Sequence, residues 1–260
     1  MIDTLPPAVA ILFVAAFGAV AGSFLNVCIY RLPLRKSIVW PASACPHCGR
    51  ALSWYENIPV ASYVALGGRC RTCRKPIALR YPLVEALTAA MFAAAWWYYG
   101  PGLLLVSRLI FGCGLLVLFA IDLEHHLLPN VITLPGILVG FAFSFFVEPG
   151  WMESLIGILA GGGVLFAIAE AYYRVRHEEG LGMGDVKMLA MIGAFVGWKL
   201  MLMTLMMASL SGTIVGVALI VSKRGNMKYA LPFGTFLALG AATAATVGQP
   251  LLDWYVALWQ

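Results

Sequence analysis

The sequence carries very little charge. Only 11% of its 260 residues are Asp, Glu, Lys or Arg, whereas soluble domains contain about 25%. With 62% hydrophobic residues, a surface made from this chain would not stay in water, which excludes a soluble globular domain. The many Phe, Trp, Tyr and Met residues exclude intrinsic disorder. The composition therefore predicts an all-α polytopic membrane protein with helices of about 20 residues.

Apolar runs separated by short polar connections predict about eight transmembrane helices. We expect the sixth run, which is short, to depart from a straight spanning helix. Because no Lys or Arg precedes the first run, we expect it to remain as a helix and not to be removed as a signal peptide. The predicted organisation is a first helix (1–30), a polar module (31–80) and a membrane domain (81–260). The runs cover residues 8–30, 82–99, 103–121, 131–147, 154–173, 186–197, 200–221 and 231–248.

The basic residues are concentrated in a few connections. Nine of the 17 Lys and Arg residues lie in the module, beside a single acid, Glu56. With the N-terminus outside, 15 of the 17 fall at connections that face the cytoplasm, as the positive-inside rule requires. We therefore expect both termini outside and the module inside. This topology accounts for the basic residues, so we expect contact with membrane lipid and no nucleic-acid partner.

Four of the six cysteines form two CxxC pairs. Cys45 and Cys48 make the first pair, Cys70 and Cys73 the second, with 21 residues between the pairs. Four thiolates at about this spacing close a tetrahedral structural zinc site. Two disulfides are the alternative, but disulfides are rare in the reducing cytoplasm. We expect a zinc site that folds the module and leaves no open position for a substrate.

Aspartate is scarce, and two of the four aspartates lie near the chain termini. In the predicted topology the other two, Asp122 and Asp185, lie at the cytoplasmic membrane boundary. Two carboxyl groups that meet there share one proton near neutral pH, which is the arrangement of an aspartic protease. Gly182 and Gly184 would let the backbone turn sharply and let substrate approach. Lys187 either supports the site or extends its cation to the lipid headgroups.

Three other interpretations stay open. Asp185 alone could cap the helix that follows it. Asp122 and Asp185 could bind a catalytic metal with His125 or His126, of which at most one would reach the site because adjacent residues on a helix point in different directions. The protein could also be a non-enzymatic membrane scaffold whose zinc module docks a cytoplasmic partner.

Several motifs carry a resemblance to a known family. They are GSFLNV at 22–27 with RLP at 31–33, WYENIP at 54–59, RYPLVE at 80–85 and, most specific, GMGDVK at 182–187 with Ala190, Gly193, Gly197 and Trp198. Together they resemble the bacterial prepilin peptidases, the GxGD aspartic proteases and N-methyltransferases of type IV pilus and type II secretion systems. Two positions depart from the family pattern: Asn130 stands where an acid is common, and Thr235 stands where a second proline is usual.

The resemblance implies a multifunctional enzyme of the bacterial inner membrane. Asp122 and Asp185 would be the catalytic aspartates, cutting the short basic leader of a prepilin or pseudopilin at the cytoplasmic face, typically after Gly and ahead of a methylatable Phe. S-adenosylmethionine would be the methyl donor, and Glu56, Asn57 and Gly68 match positions linked to methylation. The resemblance leaves the substrates, the methyl-donor pocket and the oligomeric state open.

Overall fold

The computed structural model describes residues 6–177, 182–222 and 231–259, except for the side chain of Pro7. Within these residues the regular secondary structure is helical, and the only β pairing is two isolated bridges. The basic connection predicted at 222–230 lies, except for Ser222, outside the described residues, as does part of the connection at 174–184. The α-helices are α1 (Pro7–Arg31), α2 (Ala61–Ala65), α3 (Arg80–Tyr99), α4 (Leu103–His125), α5 (Asn130–Phe143), α6 (Trp151–Arg176), α7 (Met183–Val221) and α8 (Phe233–Ala257).

Five of the described helices are long and apolar enough to cross a membrane, namely α1, α4, α6, α7 and α8. This confirms a multi-pass, all-helical membrane protein in which a four-cysteine module follows the first helix. The helix α5 is apolar but has only 14 residues, and α3 is not among the five. The predicted sixth and seventh runs correspond to the two helical segments of α7, which meet at a kink at Gly197, where the backbone is not helical (φ 78°, ψ 172°). Because L side chains rarely adopt this φ, glycine is required where the helix breaks.

The chain divides between Leu109 and Ile110 into two compact units. In the first unit, α1 packs along α3. A Cβ on Gly22 would lie 2.8 Å from the Cα of Glu85, so glycine is what permits this close packing. Glu85 also accepts a hydrogen bond of 2.7 Å from the N–H of Val60, which attaches the polar module to α3. Arg31, at the end of α1, donates to the carbonyl of Pro41 at 2.7 Å.

The second unit is built around the first half of α7. Residues 188–197 are all buried, on every side of the helix, and α5, α6 and α8 pack against α7. A helix that is apolar on all sides belongs in the interior of a bundle. Phe111 of α4 stacks on Phe195 at 4.7 Å between ring centroids. Asp185 therefore begins the most enclosed helix of the unit.

Candidate active site

Asp122 lies in the last turn of α4 and is 95% buried. The helix ends because His126 adopts a left-handed conformation (φ 50°) and Pro129 follows. The N–H of His126 still donates to the Asp122 carbonyl at 2.9 Å. One carboxylate oxygen of Asp122, Oδ2, accepts two hydrogen bonds from Thr235, one from the backbone N–H at 2.7 Å and one from Oγ1 at 3.1 Å.

Asp185 lies in the first turn of α7. Its backbone N–H donates to the carbonyl of Gly182 at 3.1 Å, and Gly182 is the residue at which the helix begins. Gly182 has an ordinary backbone conformation (φ −72°, ψ 137°), so no sharp turn requires glycine there. A Cβ on Gly184 would lie 3.0 Å from the Cβ of Leu128. Glycine at 184 therefore lets the start of α7 approach the connection between α4 and α5.

The two aspartates line the same cavity, which has a volume of about 180 Å³. The structure thus brings together two carboxyl groups that lie on different helices and are 63 positions apart in sequence. The cavity is lined by Asp122, His126, Leu127, Leu128 and Asn130 from the end of α4 to the start of α5, and by Gly182, Gly184 and Asp185 at the start of α7.

Lys187 lies two positions beyond Asp185 and contacts one of the residues that line the cavity. Its Nζ donates to Oδ1 of Asn130 at 3.0 Å, a contact that joins α7 to α5. No feature of the sequence indicates that Lys187 and Asn130 would be in contact. A neutral amide at position 130 accepts this bond without forming an ion pair.

The histidines next to Asp122 differ in position. His126 lines the cavity, whereas His125 lies outside it with Nε2 at 3.9 Å from Oε2 of Glu124. Among the described residues, the four module cysteines are the one group of three or more His, Cys, Asp and Glu side chains whose ligand atoms are close enough to share an ion. The alternative of a catalytic metal at Asp122, Asp185 and a histidine has no support from this geometry.

The four cysteines of the module form a cluster able to hold a metal ion. Their Sγ atoms all lie within 4.8 Å of one another, and those of Cys45 and Cys73 are 3.8 Å apart. A tetrahedral zinc ion with Zn–S bonds of about 2.3 Å separates its sulfur ligands by about 3.8 Å. Hydrogen bonds from the backbone N–H groups of Cys73 and Thr72 lower the pKa of the Cys70 thiol to about 6. The thiolate is the form that binds a metal.

The three residues that the resemblance links to methylation all lie in the module, but their surroundings differ. The carboxylate of Glu56 accepts from the N–H of Ser53 at 2.9 Å and from Arg50 Nη2 at 2.5 Å, so it stabilises the fold of the module. Asn57 is exposed beside it. Gly68 is buried with φ 67°, and a Cβ there would lie 2.8 Å from the hydroxyl of Tyr63.

Sequence reasoning missed the start of α8 as part of the site. Thr235 was singled out only as a departure from a family pattern, yet it holds Asp122. A Cβ on Gly234 would lie 3.0 Å from Oδ2 of Asp122 and 2.9 Å from Leu128. The signal was the Pro-Phe-Gly-Thr sequence before an apolar run, which predicts a helix N-terminus with free N–H donors. Nothing in the sequence said which acid those donors would meet.

Two protein-family models match parts of this chain. Residues 109–217 match the model of the type IV leader peptidase family, and residues 16–99 match the bacterial peptidase A24 N-terminal domain. The first match contains both cavity aspartates and the second contains all four module cysteines. No solved structure matches the chain significantly.

The curated relatives cover almost the whole chain. A prepilin leader peptidase/N-methyltransferase from Burkholderia pseudomallei is 37% identical, over 95% of this chain and 88% of the relative. A protein of the same name from Aeromonas hydrophila is 36% identical, over 92% of this chain and 91% of its own length. Another, from Pseudomonas aeruginosa, is 33% identical, over 96% of this chain and 94% of its own length. The protein is thus an enzyme of the membrane aspartic peptidase class. It belongs to the type IV leader peptidase family, which confirms the resemblance seen in the sequence.

Proposed function

We propose that this protein is a membrane aspartic endopeptidase that removes the short basic leader of type IV prepilins or pseudopilins and then methylates the new N-terminal residue. The observation that carries the peptidase role is that Asp122 and Asp185, on different helices, line one cavity. The names of the relatives, which are prepilin leader peptidases, support the substrate class.

The chemistry needs one ionised and one protonated carboxyl group. The ionised group takes a proton from a water molecule, whose oxygen attacks the scissile carbonyl carbon. The protonated group stabilises the oxyanion that forms and then donates its proton to the nitrogen of the leaving amine. Two acids in one partly enclosed cavity can divide these roles because like charges at close range disfavour double ionisation.

Replacing either aspartate by asparagine tests the peptidase role. We expect Asp122→Asn and Asp185→Asn each to abolish cleavage of a purified prepilin in the reconstituted protein, as measured by mass spectrometry of the product. Asp253→Asn is the matched control, since Asp253 is exposed on α8 and accepts a hydrogen bond from Gln249. Substantial cleavage by either cavity variant, in a preparation that inserts and melts like the wild type, would contradict the dyad.

The methyl-transfer role is supported by the match of residues 16–99 to the N-terminal domain of the family and by the names of the relatives. S-adenosylmethionine is the proposed donor, and Asn57 and Gly68, with Glu56, are the proposed positions for this activity. Incubation of the protein with a prepilin and S-adenosylmethionine should give a product that has lost its leader and gained one methyl group. Leader loss without a methyl group would leave the peptidase role alone.

Zinc is the proposed occupant of the four-cysteine cluster. The spacing of the four sulfur atoms fits a closed tetrahedral site, which has no position for a substrate. Bound zinc would hold the two CxxC loops together and so fold the module. If the peptidase acts through its aspartates, prepilin cleavage should survive a chelator under conditions in which the protein remains folded.

The proposed location is the bacterial inner membrane, with the module and the cavity on the cytoplasmic side and both termini outside. The concentration of basic residues in the predicted inside connections supports this orientation. We also propose that α3 and α5 lie within the membrane with α1, α4, α6 and α8, and that the two halves of α7 are separate segments, giving about eight membrane segments.

A further inference from the structure

Thr235 is the polar residue that most directly contacts the proposed dyad. It is 94% buried in the first turn of α8. Its N–H and its Oγ1 both donate to the same atom, Oδ2 of Asp122, at 2.7 Å and 3.1 Å. Both distances lie in the normal range for hydrogen bonds.

The two donors act on one oxygen of Asp122 and leave the other free. No hydrogen bond to Oδ1 of Asp122 forms among the described residues. The terminal torsion of an aspartate is broad when nothing fixes it, so two bonds to Oδ2 also fix the direction in which Oδ1 points. The N-terminus of α8 adds a partial positive charge at Oδ2, which favours the ionised carboxylate.

The close approach of α8 to Asp122 depends on its neighbour in sequence. A Cβ on Gly234 would lie only 3.0 Å from Oδ2 of Asp122, so there is no room for a side chain between the helix and the carboxylate. The α8 N-terminus is therefore held against the carboxylate by packing, and the hydroxyl of Thr235 completes the contact. Valine in place of Thr235 would keep the shape of the side chain and the backbone N–H and would lose only the hydroxyl donor.

We propose that Thr235 is a positioning residue that holds Asp122 through Oδ2, so that Oδ1 is the atom that takes the proton from the catalytic water. This rests on the proposed peptidase function. Thr235 does not touch the reacting atoms and acts through Asp122. Preorganisation of a catalytic group lowers the barrier to the chemical step and leaves substrate binding almost unchanged.

The test is the steady-state kinetics of prepilin cleavage by the full-length protein in lipid nanodiscs. Thr235→Val should lower kcat about tenfold or more, with KM within about twofold of the wild type, because a hydrogen bond to a charged group is lost. Thr235→Ser keeps the hydroxyl and should restore kcat to within about threefold. Thr204→Val is the matched control: Thr204 is fully buried on α7, and its hydroxyl donates to the carbonyl of Leu200. Its kcat should stay at the wild-type value.

The outcomes separate this proposal from the peptidase assignment. Wild-type kcat in Thr235→Val, an equal loss in Thr235→Ser, or a rise in KM at constant kcat would each overturn the role of Thr235 alone. If the valine variant does not fold, Thr235→Cys replaces it, since a thiol is a weak donor of similar size, and wild-type kcat in that variant overturns the role. Absence of cleavage by the wild type, or full cleavage by Asp122→Asn, overturns the proposed function and this role with it.

Discussion

At the residue scale, the two CxxC loops of the module share a backbone hydrogen-bond pattern but differ in the residue that takes the left-handed conformation. The N–H of Cys45 donates to the carbonyl of Arg50, and the N–H of Cys70 to that of Lys75, both at 2.9 Å. The residue after the second cysteine is left-handed in both loops, but it is Gly49 in the first (φ 71°) and Arg74 in the second (φ 57°). Only glycine adopts this conformation without a steric cost.

Arg74→Gly should therefore stabilise the metal-bound module, by about 0.5–1 kcal/mol. Thermal unfolding of the zinc-loaded protein, followed by the fluorescence of its tryptophans, measures the effect. The reverse change, Gly49→Arg, is the matched control and should destabilise the module by a similar amount, since a Cβ on Gly49 meets no atom within 4 Å and only the backbone cost remains. Equal melting temperatures for both variants would argue against this account.

Glu56 gives the module a pH-dependent contribution to stability. The N–H of Ser53 and the guanidinium of Arg50 lower the pKa of this carboxyl below its ordinary value of 4.5. A lowered folded-state pKa means that the contribution is present above the ordinary value and is lost as the pH falls through the folded value. We expect Glu56→Gln to melt below the wild type at neutral pH, with the difference shrinking under acid conditions. A difference that stays constant with pH would show that charge plays no part.

At the element scale, the glycines of α6 differ in what they pack against. Gly161 faces the backbone of α7, where a Cβ would lie 2.8 Å from the carbonyl oxygen of Leu189, while a Cβ on Gly163 would meet nothing within 4 Å. Three consecutive glycines at 161–163 predict a surface on which another helix packs closely, since small residues let helix backbones approach each other. Spacing alone could not say which glycine faces the partner helix.

These two glycines form a matched pair for a stability test. Gly161→Ala should destabilise the second unit by about 1–3 kcal/mol, because backbone must move to admit the methyl group. Gly163→Ala should be neutral or stabilising, by up to about 1 kcal/mol, because alanine favours the helix. Thermal unfolding in one detergent compares them, and a larger loss in Gly163→Ala would contradict this packing of α6 on α7.

The elements themselves could largely be predicted from the sequence, since each apolar run contains or adjoins a described helix. The division of α7 could be predicted as well, because the kink at Gly197 falls where the sixth run ends and Lys199 separates it from the seventh. In the site, the acids Asp122 and Asp185 could be chosen because charge is rare in apolar surroundings. The donor Thr235 could not be chosen, because threonine is common in membrane helices and its partner is 113 positions away.

At the scale of the whole molecule, the proposed topology predicts which side of the membrane each connection faces. Glu124 and Glu148 are both exposed and lie at opposite ends of the α4–α5 pair. In right-side-out vesicles, a membrane-impermeant maleimide should label Glu148→Cys at once and Glu124→Cys only after permeabilisation. The wild type is the control, since the four module cysteines lie inside in this topology. Labelling of Glu124→Cys in sealed vesicles would reverse the orientation.

The break at Gly197 also bears on how the protein fits its bilayer. The part of α7 before the break, residues 183–196, extends about 21 Å at 1.5 Å per residue, well short of a hydrocarbon core of about 30 Å. A lipid-facing helix of this length would thin the surrounding bilayer. This one is enclosed by protein, so hydrophobic mismatch acts on its longer neighbours, and the depth of Asp185 is set by packing within the second unit. Proteolysis should therefore proceed at similar rates in bilayers of different acyl-chain length.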